Sequence, residues 1–310
     1  MTDYIWNNPS SGAWEDAGNW SPFTGFAPGS GDDATVTGVA ATQINVTQDD
    51  SVFNLSLRDA NATLNDFSGP AFLNVEGTLT LGKGHISLFD TGLLNLDGDG
   101  AVLNGGSIFM QDGEVSVNNS AIVQERAGQI TLGNEGEIFI GGSAIWELLS
   151  NDGIRQTSSN SSIDIEGVLE KVGGAGTSFI GGQIDDNGFI ETGIGNTEFR
   201  QNVDGSGDGL IFNRSELTFD KQVDISAVAF ESNAGTLFLR QPQNFDTPIE
   251  NFIRGDKVDL QGAWHETNLF FSGGNTFIDL VHNGIGTQLE FTGQIGLTVH
   301  SGATTVIAHA

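Results

Sequence analysis

The segment Thr78–Ile140 reads TLTLGKGHISLFDTGLLNLDGDGAVLNGGSIFMQDGEVSVNNSAIVQERAGQITLGNEGEIFI. Short alternating runs are separated by Gly, Asn and Asp. TLTL (Thr78–Leu81), HISLF (His85–Phe89), LLNLDG (Leu93–Gly98), SIFM (Ser107–Met110), EVSV (Glu114–Val117), QITL (Gln129–Leu132) and EIFI (Glu137–Ile140) each place apolar side chains at i and i+2. One side of every such strand therefore faces a core. Upstream, VFNLSL (Val52–Leu57) and FLNVEG (Phe72–Gly77) follow the same rule. The strands also repeat at a distance. Leu64, Ile86, Ile108 and Ile130 succeed one another at 22 residues, and Val115 precedes Ile138 by 23. Periods of roughly 20 to 50 residues mark solenoids. A β-sandwich also sets strands every ~8 to 12 residues, but it gives no reason for a maintained 22-residue register. The expectation is an all-β, single-stranded parallel β-helix with three short strands per coil.

Proline and glycine placement agrees. Pro9, Pro22, Pro28 and Pro70 lie early, and the next prolines are Pro242 and Pro248. Proline cannot donate to a ladder, so the Pro-free stretch between suits strands paired on both sides. Helices are punctuated there by Gly, Asn and Asp; at most Ala144–Ser150 (AIWELLS) is expected to form a helical turn or two. Residues 1–33 hold Tyr4, Trp6, Trp14 and Trp20, the only Tyr and three of the five Trp. A solenoid exposes an apolar cross-section at its ends, which atypical segments must cover. The expected organisation is an aromatic cap over 1–33, coils over 34–225, and final coils or a small β cap over 226–310, with Trp264 closing that end.

Charge narrows the functions. Eleven Lys and Arg stand against 40 Asp and Glu, a net charge of −29, which opposes phosphate-rich partners, nucleic acid above all. No cysteine is present, so thiol nucleophiles, thiolate metal sites and disulfides are out. The opening MTDYIWNNPSSGAW has no basic n-region before an apolar run, so no cleaved signal peptide is expected. No run approaches the ~18 apolar residues of a membrane span.

The opening Trp6–Pro22 (WNNPSSGAWEDAGNWSP) and Ala27–Val36 (APGSGDDATV) resemble the start of many bacterial secreted parallel β-helix proteins, autotransporter-passenger-like or type I-secreted and adhesin-like. Val168–Ile180 with Asp186–Glu191 is similar to a middle coil of that group. Val228–Phe245 with Phe252–Leu260 is similar to its C-terminal module. The matched positions are scaffold residues. The resemblance implies a secreted or cell-surface location. The chain departs from many type I substrates in lacking the calcium-binding nonapeptide G-G-x-G-x-D-x-U-x.

Several side-chain patterns carry candidate chemistry. Asp185, Asp186 and Glu191 form the best paired-carboxylate pattern for a glycosidase, in which one carboxyl acts as acid and another as base or nucleophile. The competing reading of Asp186-Asn187-Gly188 is a turn. Asp97 with Asp99, and Asp204 with Asp208, alternate carboxylates with Gly as a hard oxygen-seeking cation accepts, which makes Ca²⁺ the one ion to consider; no cofactor is required. A lyase would need a basic cluster, and Arg200, Arg214 and Lys221 do not share the coil register. His265-Glu266 lacks the second His of a zincin, since position 269 is Leu269. Arg254-Gly255-Asp256 reads as a turn before a strand. The functional expectation is a non-catalytic structural or adhesive β-helix that associates with itself, a surface matrix or polysaccharide. The alternatives are a polysaccharide-active enzyme on the same scaffold and an oligomeric spike or fibre.

Overall fold

The computed structural model describes residues 1–38, 42–67 and 71–310; Pro70 lies outside them. The chain is an all-β parallel solenoid of about 10 turns with about 21 residues per turn. It divides into two compact units, Met1–Val168 and Leu169–Ala310.

In the first unit each coil carries three strands, and the apolar positions of each strand stack directly on those of the next. One interior row runs Ile44, Leu64, Ile86, Ile108, Ile130 and Ile154, in register throughout. Every member is at most 2% exposed. The 22-residue row read from the sequence is therefore a physical column, with one further residue at each end. A second column is Leu55, Leu79, Ala101, Val123 and Trp146. A third is Leu73, Leu94, Val115, Ile138 and Ile163. Alternation in these strands is strict because successive side chains leave opposite faces. Ile145–Leu148 is a strand, contrary to the expected helical turn. Its partner Ile122–Glu125 in the preceding coil fixes the backbone in a ladder, and Trp146 and Leu148 point inward while Ile145 and Glu147 point outward.

The stacking leaves no room for side chains at some corners. Gly100 has φ +99°, and a Cβ there would stand 2.1 Å from the Ile122 carbonyl oxygen of the following coil. Only glycine satisfies both demands.

At the start of this unit, Asp3–Trp6 pairs in parallel with Asp33–Val36 and antiparallel with Trp20–Ser21. Trp20 sits at the centre of the aromatic cluster, edge-on to Trp14 at 4.8 Å, Trp6 at 5.0 Å and Tyr4 at 6.5 Å. The indole N–H of Trp20 donates to the Trp14 carbonyl. Asn19 locks the loop beneath, accepting from Asn8 Nδ2 and donating to the Ala13 carbonyl, both at 2.8 Å. Replacing Asn19 by Ala strands both partners in a half-buried site and is expected to cost about 1–3 kcal/mol. Equilibrium denaturation of Asn19→Ala checks this; an unchanged midpoint refutes it.

The second unit uses shorter coils. Thr177–Ile180, Asn196–Phe199, Glu216–Phe219, Thr236–Leu239 and Lys257–Gln261 stack on one face. Phe189–Thr192, Asp208–Ile211, Ala227–Phe230 and Ile249–Glu250 stack on another. Gln183–Asp186, Val203–Asp204 and Val223–Asp224 make the third. Partners here are 19 to 21 residues apart, so the 22-residue register belongs to the first unit only. The strands keep their length, and the corners take up the difference.

Pairing then turns antiparallel. Lys257–Gln261 accepts Thr304–His309 on its other side, and His265–Ser272, Asn275–His282 and Ile285–Phe291 form a meander. Trp264 is buried beside this change, its backbone N–H on Thr305 Oγ1 and its indole N–H on the Gln261 carbonyl.

Candidate functional site

Asp185 and Asp186 are consecutive in the strand Gln183–Asp186, so they leave on opposite faces. Asp185 is exposed, and Asp186 is wholly buried in the coil interior. Asp186 Oδ1 accepts the Gly188 N–H at 3.2 Å, whereas Oδ2 has no hydrogen-bond partner. The carboxyl packs against Gly207 of the following coil, where a Cβ would come within 2.6 Å of it. Burial pushes the Asp186 carboxyl up to about 7; Asp208 and Asp185 add to the rise and the Gly188 N–H opposes it. At neutral pH Asp186 is thus an interior acid near the midpoint of its titration. Glu191 stands on the outer side of the next strand, Phe189–Thr192, half-buried, and is raised by burial first and by Glu231 second. The three carboxyls do not share a face.

The carboxylates that do meet come from different coils. Asp185, Asp204 and Asp224 are in register on the outer side of one sheet, about 4.8 Å apart along the ladder. Burial raises the Asp204 carboxyl, and Asp224 and Asp185 raise it further. Asp208, the proposed cation partner of Asp204, lies across the Gly205–Gly207 corner at the head of another strand. In the first unit Asp97 is already engaged, its Oδ2 accepting Asn95 Nδ2 at 2.7 Å and its Oδ1 accepting Asn119 Nδ2 at 3.2 Å. Asp99, two residues on, is exposed. Among the described residues, no group of three or more His, Cys, Asp and Glu is placed to hold a metal ion.

Sequence reading missed three arrangements. Asn95 Nδ2 donates to Asn74 Oδ1 at 3.1 Å and Asn118 Nδ2 to Asn95 Oδ1 at 2.8 Å, a ladder of amides climbing one face. Glu114 and Glu137 are in register, and burial with the Glu137 charge raises the Glu114 carboxyl. They line a shallow groove of about 300 Å³ with Asp112 and Glu135. At the cap, burial with the charges of Glu15 and Asp49 pushes the Asp50 carboxyl up to about 7. For the first two, spacings of 21 to 23 residues between like polar side chains were the available signal, readable only once each coil's length is known; the approach of Glu15 to Asp50 follows no coil spacing.

Three of the basic residues are tied into the scaffold. Arg240 pairs with Glu198 at 3.3 Å and with Asp220. Arg200 pairs with Glu198 at 3.4 Å and lies 3.9 Å over the Phe179 ring. Lys221 donates to Gln201 Oε1. In Arg254-Gly255-Asp256 the Asp256 carboxylate is buried, accepting the Gly235 and Ile253 N–H groups, so this tripeptide builds a corner as the turn reading expects. No helix among the described residues is long and apolar enough to cross a membrane. Compared with known proteins, the chain matches no family model and no curated protein.

Proposed function

We propose that the chain is a non-catalytic structural or adhesive β-helix, secreted or displayed at a cell surface and associated with a polyanion-tolerant matrix or neutral glycan. The observation that carries the reading is the opposite facing of Asp185 and Asp186. A glycosidase needs its two carboxyls converging on one bond, roughly 5 to 9.5 Å apart, and here one carboxyl is enclosed in the core. Repeating polar ladders such as Asn74–Asn95–Asn118 supply what an adhesive face uses instead: many weak, evenly spaced hydrogen-bonding groups. A polysaccharide panel, assayed for both binding and product release with and without Ca²⁺, tests it. Retention without product is expected, and released oligosaccharide would overturn the reading.

A second reading, a glycan-binding module, draws on a groove of about 380 Å³ in the second unit, lined by Gln243, Asp246, Thr247, Thr287, Gln288 and Glu290. Amides, hydroxyls and carboxylates suit sugar hydroxyls. Gln288→Ala with Gln243→Ala would abolish retention if this groove holds the glycan.

Ca²⁺ enters the same proposal as a counterion. Like charges ~4.8 Å apart repel by about 1 kcal/mol even at the dielectric of water. Millimolar Ca²⁺ associating with adjacent carboxylate pairs of this ladder, Asp185 with Asp204 or Asp204 with Asp224, is expected to raise Tm beyond NaCl of matched ionic strength. The excess should vanish in Asp204→Asn. Equal shifts with both salts would reduce the effect to screening.

A further inference from the structure

The strand His265–Ser272 (HETNLFFS) is the outermost of its meander. It pairs with Asn275–His282 on one side, and among the described residues no strand pairs with its other side. A register shift between Glu266 and Asn268 breaks the ladder near its start, leaving Asn268–Ser272 as a regular, open edge. Such an edge presents a row of unpaired N–H and C=O groups, a template for another strand. Proteins guard edges with charge, proline or bulges. This one has its bulge at residue 267, and its regular half carries neither a charge nor a proline. Phe271 is 56% exposed on it.

We infer that this edge pairs antiparallel with the same edge of a second copy, with Phe270 on the two-fold axis. The sequence is self-complementary about that residue. Leu269 falls opposite Phe271 on one face, twice by symmetry, Phe270 meets its own mate on the other, and Asn268 lies opposite Ser272. Phe270 is held for this by stacking on Phe277 of the neighbouring strand, 5.3 Å between centroids. Cross-strand aromatic and aliphatic pairs are the kind that stabilise a sheet, and an isologous contact closes as a dimer and does not propagate. Local charge does not oppose a second copy at this place. The chain repels itself at −29, yet the only acidic residue of the strand is Glu266. In the symmetric register the two Glu266 residues stand eight positions apart along the ladder, about 27 Å, well beyond the ~8 Å screening length of physiological salt.

The chain has no cysteine, so disulfide trapping reads the register directly. Asn268→Cys and Ser272→Cys, both at exposed positions, are mixed in equal amounts and oxidised mildly. Opposed residues of an antiparallel pair have Cα atoms about 4.5 to 5.5 Å apart, within disulfide reach. Two copies of residue 268 would lie about 14 Å apart, beyond it. The mixed 268–272 cross-link is expected to exceed either homodimer at least tenfold. In sedimentation, the wild-type chain is expected to dimerise with rising concentration, and Phe271→Lys to weaken the dimer at least tenfold with an unchanged melting curve. A wild-type chain that remains monomeric at the highest soluble concentration, or statistical cross-linking of the two cysteine variants, would overturn the inference.

Discussion

Ile108→Asp is expected to abolish cooperative folding. Ile108 is 2% exposed, clasped in register between Ile86 and Ile130. Truncating a buried Ile costs about 2–5 kcal/mol through lost transfer energy and the cavity left behind. Burying an unpaired carboxylate adds several more, or forces its protonation. The neighbourhood worsens matters, because wholly buried Glu125 lines the same interior space and accepts Ser150 Oγ at 2.7 Å. The combined penalty is comparable with the whole stability of a typical domain, about 5–15 kcal/mol. Ile108→Val, which keeps most of the volume, should cost only about 0.5–1.5 kcal/mol. Circular dichroism and urea titration of both variants decide it: a soluble Ile108→Asp chain with a normal unfolding transition would show that the column is not a packed core.

Stability is also expected to fall between pH 5 and pH 8, the reverse of the usual acid sensitivity. Asp186 has its carboxyl raised from 3.8 to about 7 in the folded chain. The folded state therefore holds this proton more tightly than the unfolded one. The resulting stabilisation is complete below about 3.8 and is lost as pH rises through about 7. At 1.36 kcal/mol per pH unit the full effect is about 4 kcal/mol, of which about 3 lies between pH 5 and pH 8. The other resolved shifts point the same way: Asp50, Glu114, Glu191, Asp204, Glu216, Asp220 and Asp259 are all raised, with burial the first cause in each. Asp186→Asn keeps an oxygen for the Gly188 N–H and cannot ionise. It should remove the share of the slope that Asp186 contributes and be the more stable protein at pH 8. Urea midpoints across that range provide the measurement, and parallel curves for the two proteins would refute the assignment.

The architecture was readable because a strand in a stacked coil obeys two constraints at once. Its apolar residues alternate, and they recur where the next coil passes, as Leu64 through Ile130 do. The shorter coils after Leu169 were not readable, since corners such as Gly205–Gly207 absorb residues without disturbing any strand. Ala144–Ser150 misled for a related reason: Glu and Leu favour helix locally, and pairing with the preceding coil's backbone overrides that preference. The site was read least well. Asp185 and Asp186 look paired because they adjoin in sequence, yet a one-residue step in a strand reverses the face. The true neighbours, Asp185, Asp204 and Asp224, are 19 and 20 residues apart.

The uniform spacing of the rungs also bears on how the chain acquires its structure. Between successive coils, outside the N-terminal cap and the C-terminal meander, the parallel pairings join residues about 19 to 25 positions apart. Adding a coil to a finished one thus closes a loop of about 20 residues. The length-dependent part of that closure entropy is about 2.7 kcal/mol, and it is the same for an early coil as for a late one. Within the coils no step awaits the meeting of distant segments, the event that slows most β-proteins. Assembly can advance coil by coil as the polypeptide is released, each completed turn serving as the template for its successor. Lengthening such a unit by whole coils would then extend its folding time in proportion to their number, while the barrier to each addition stayed constant.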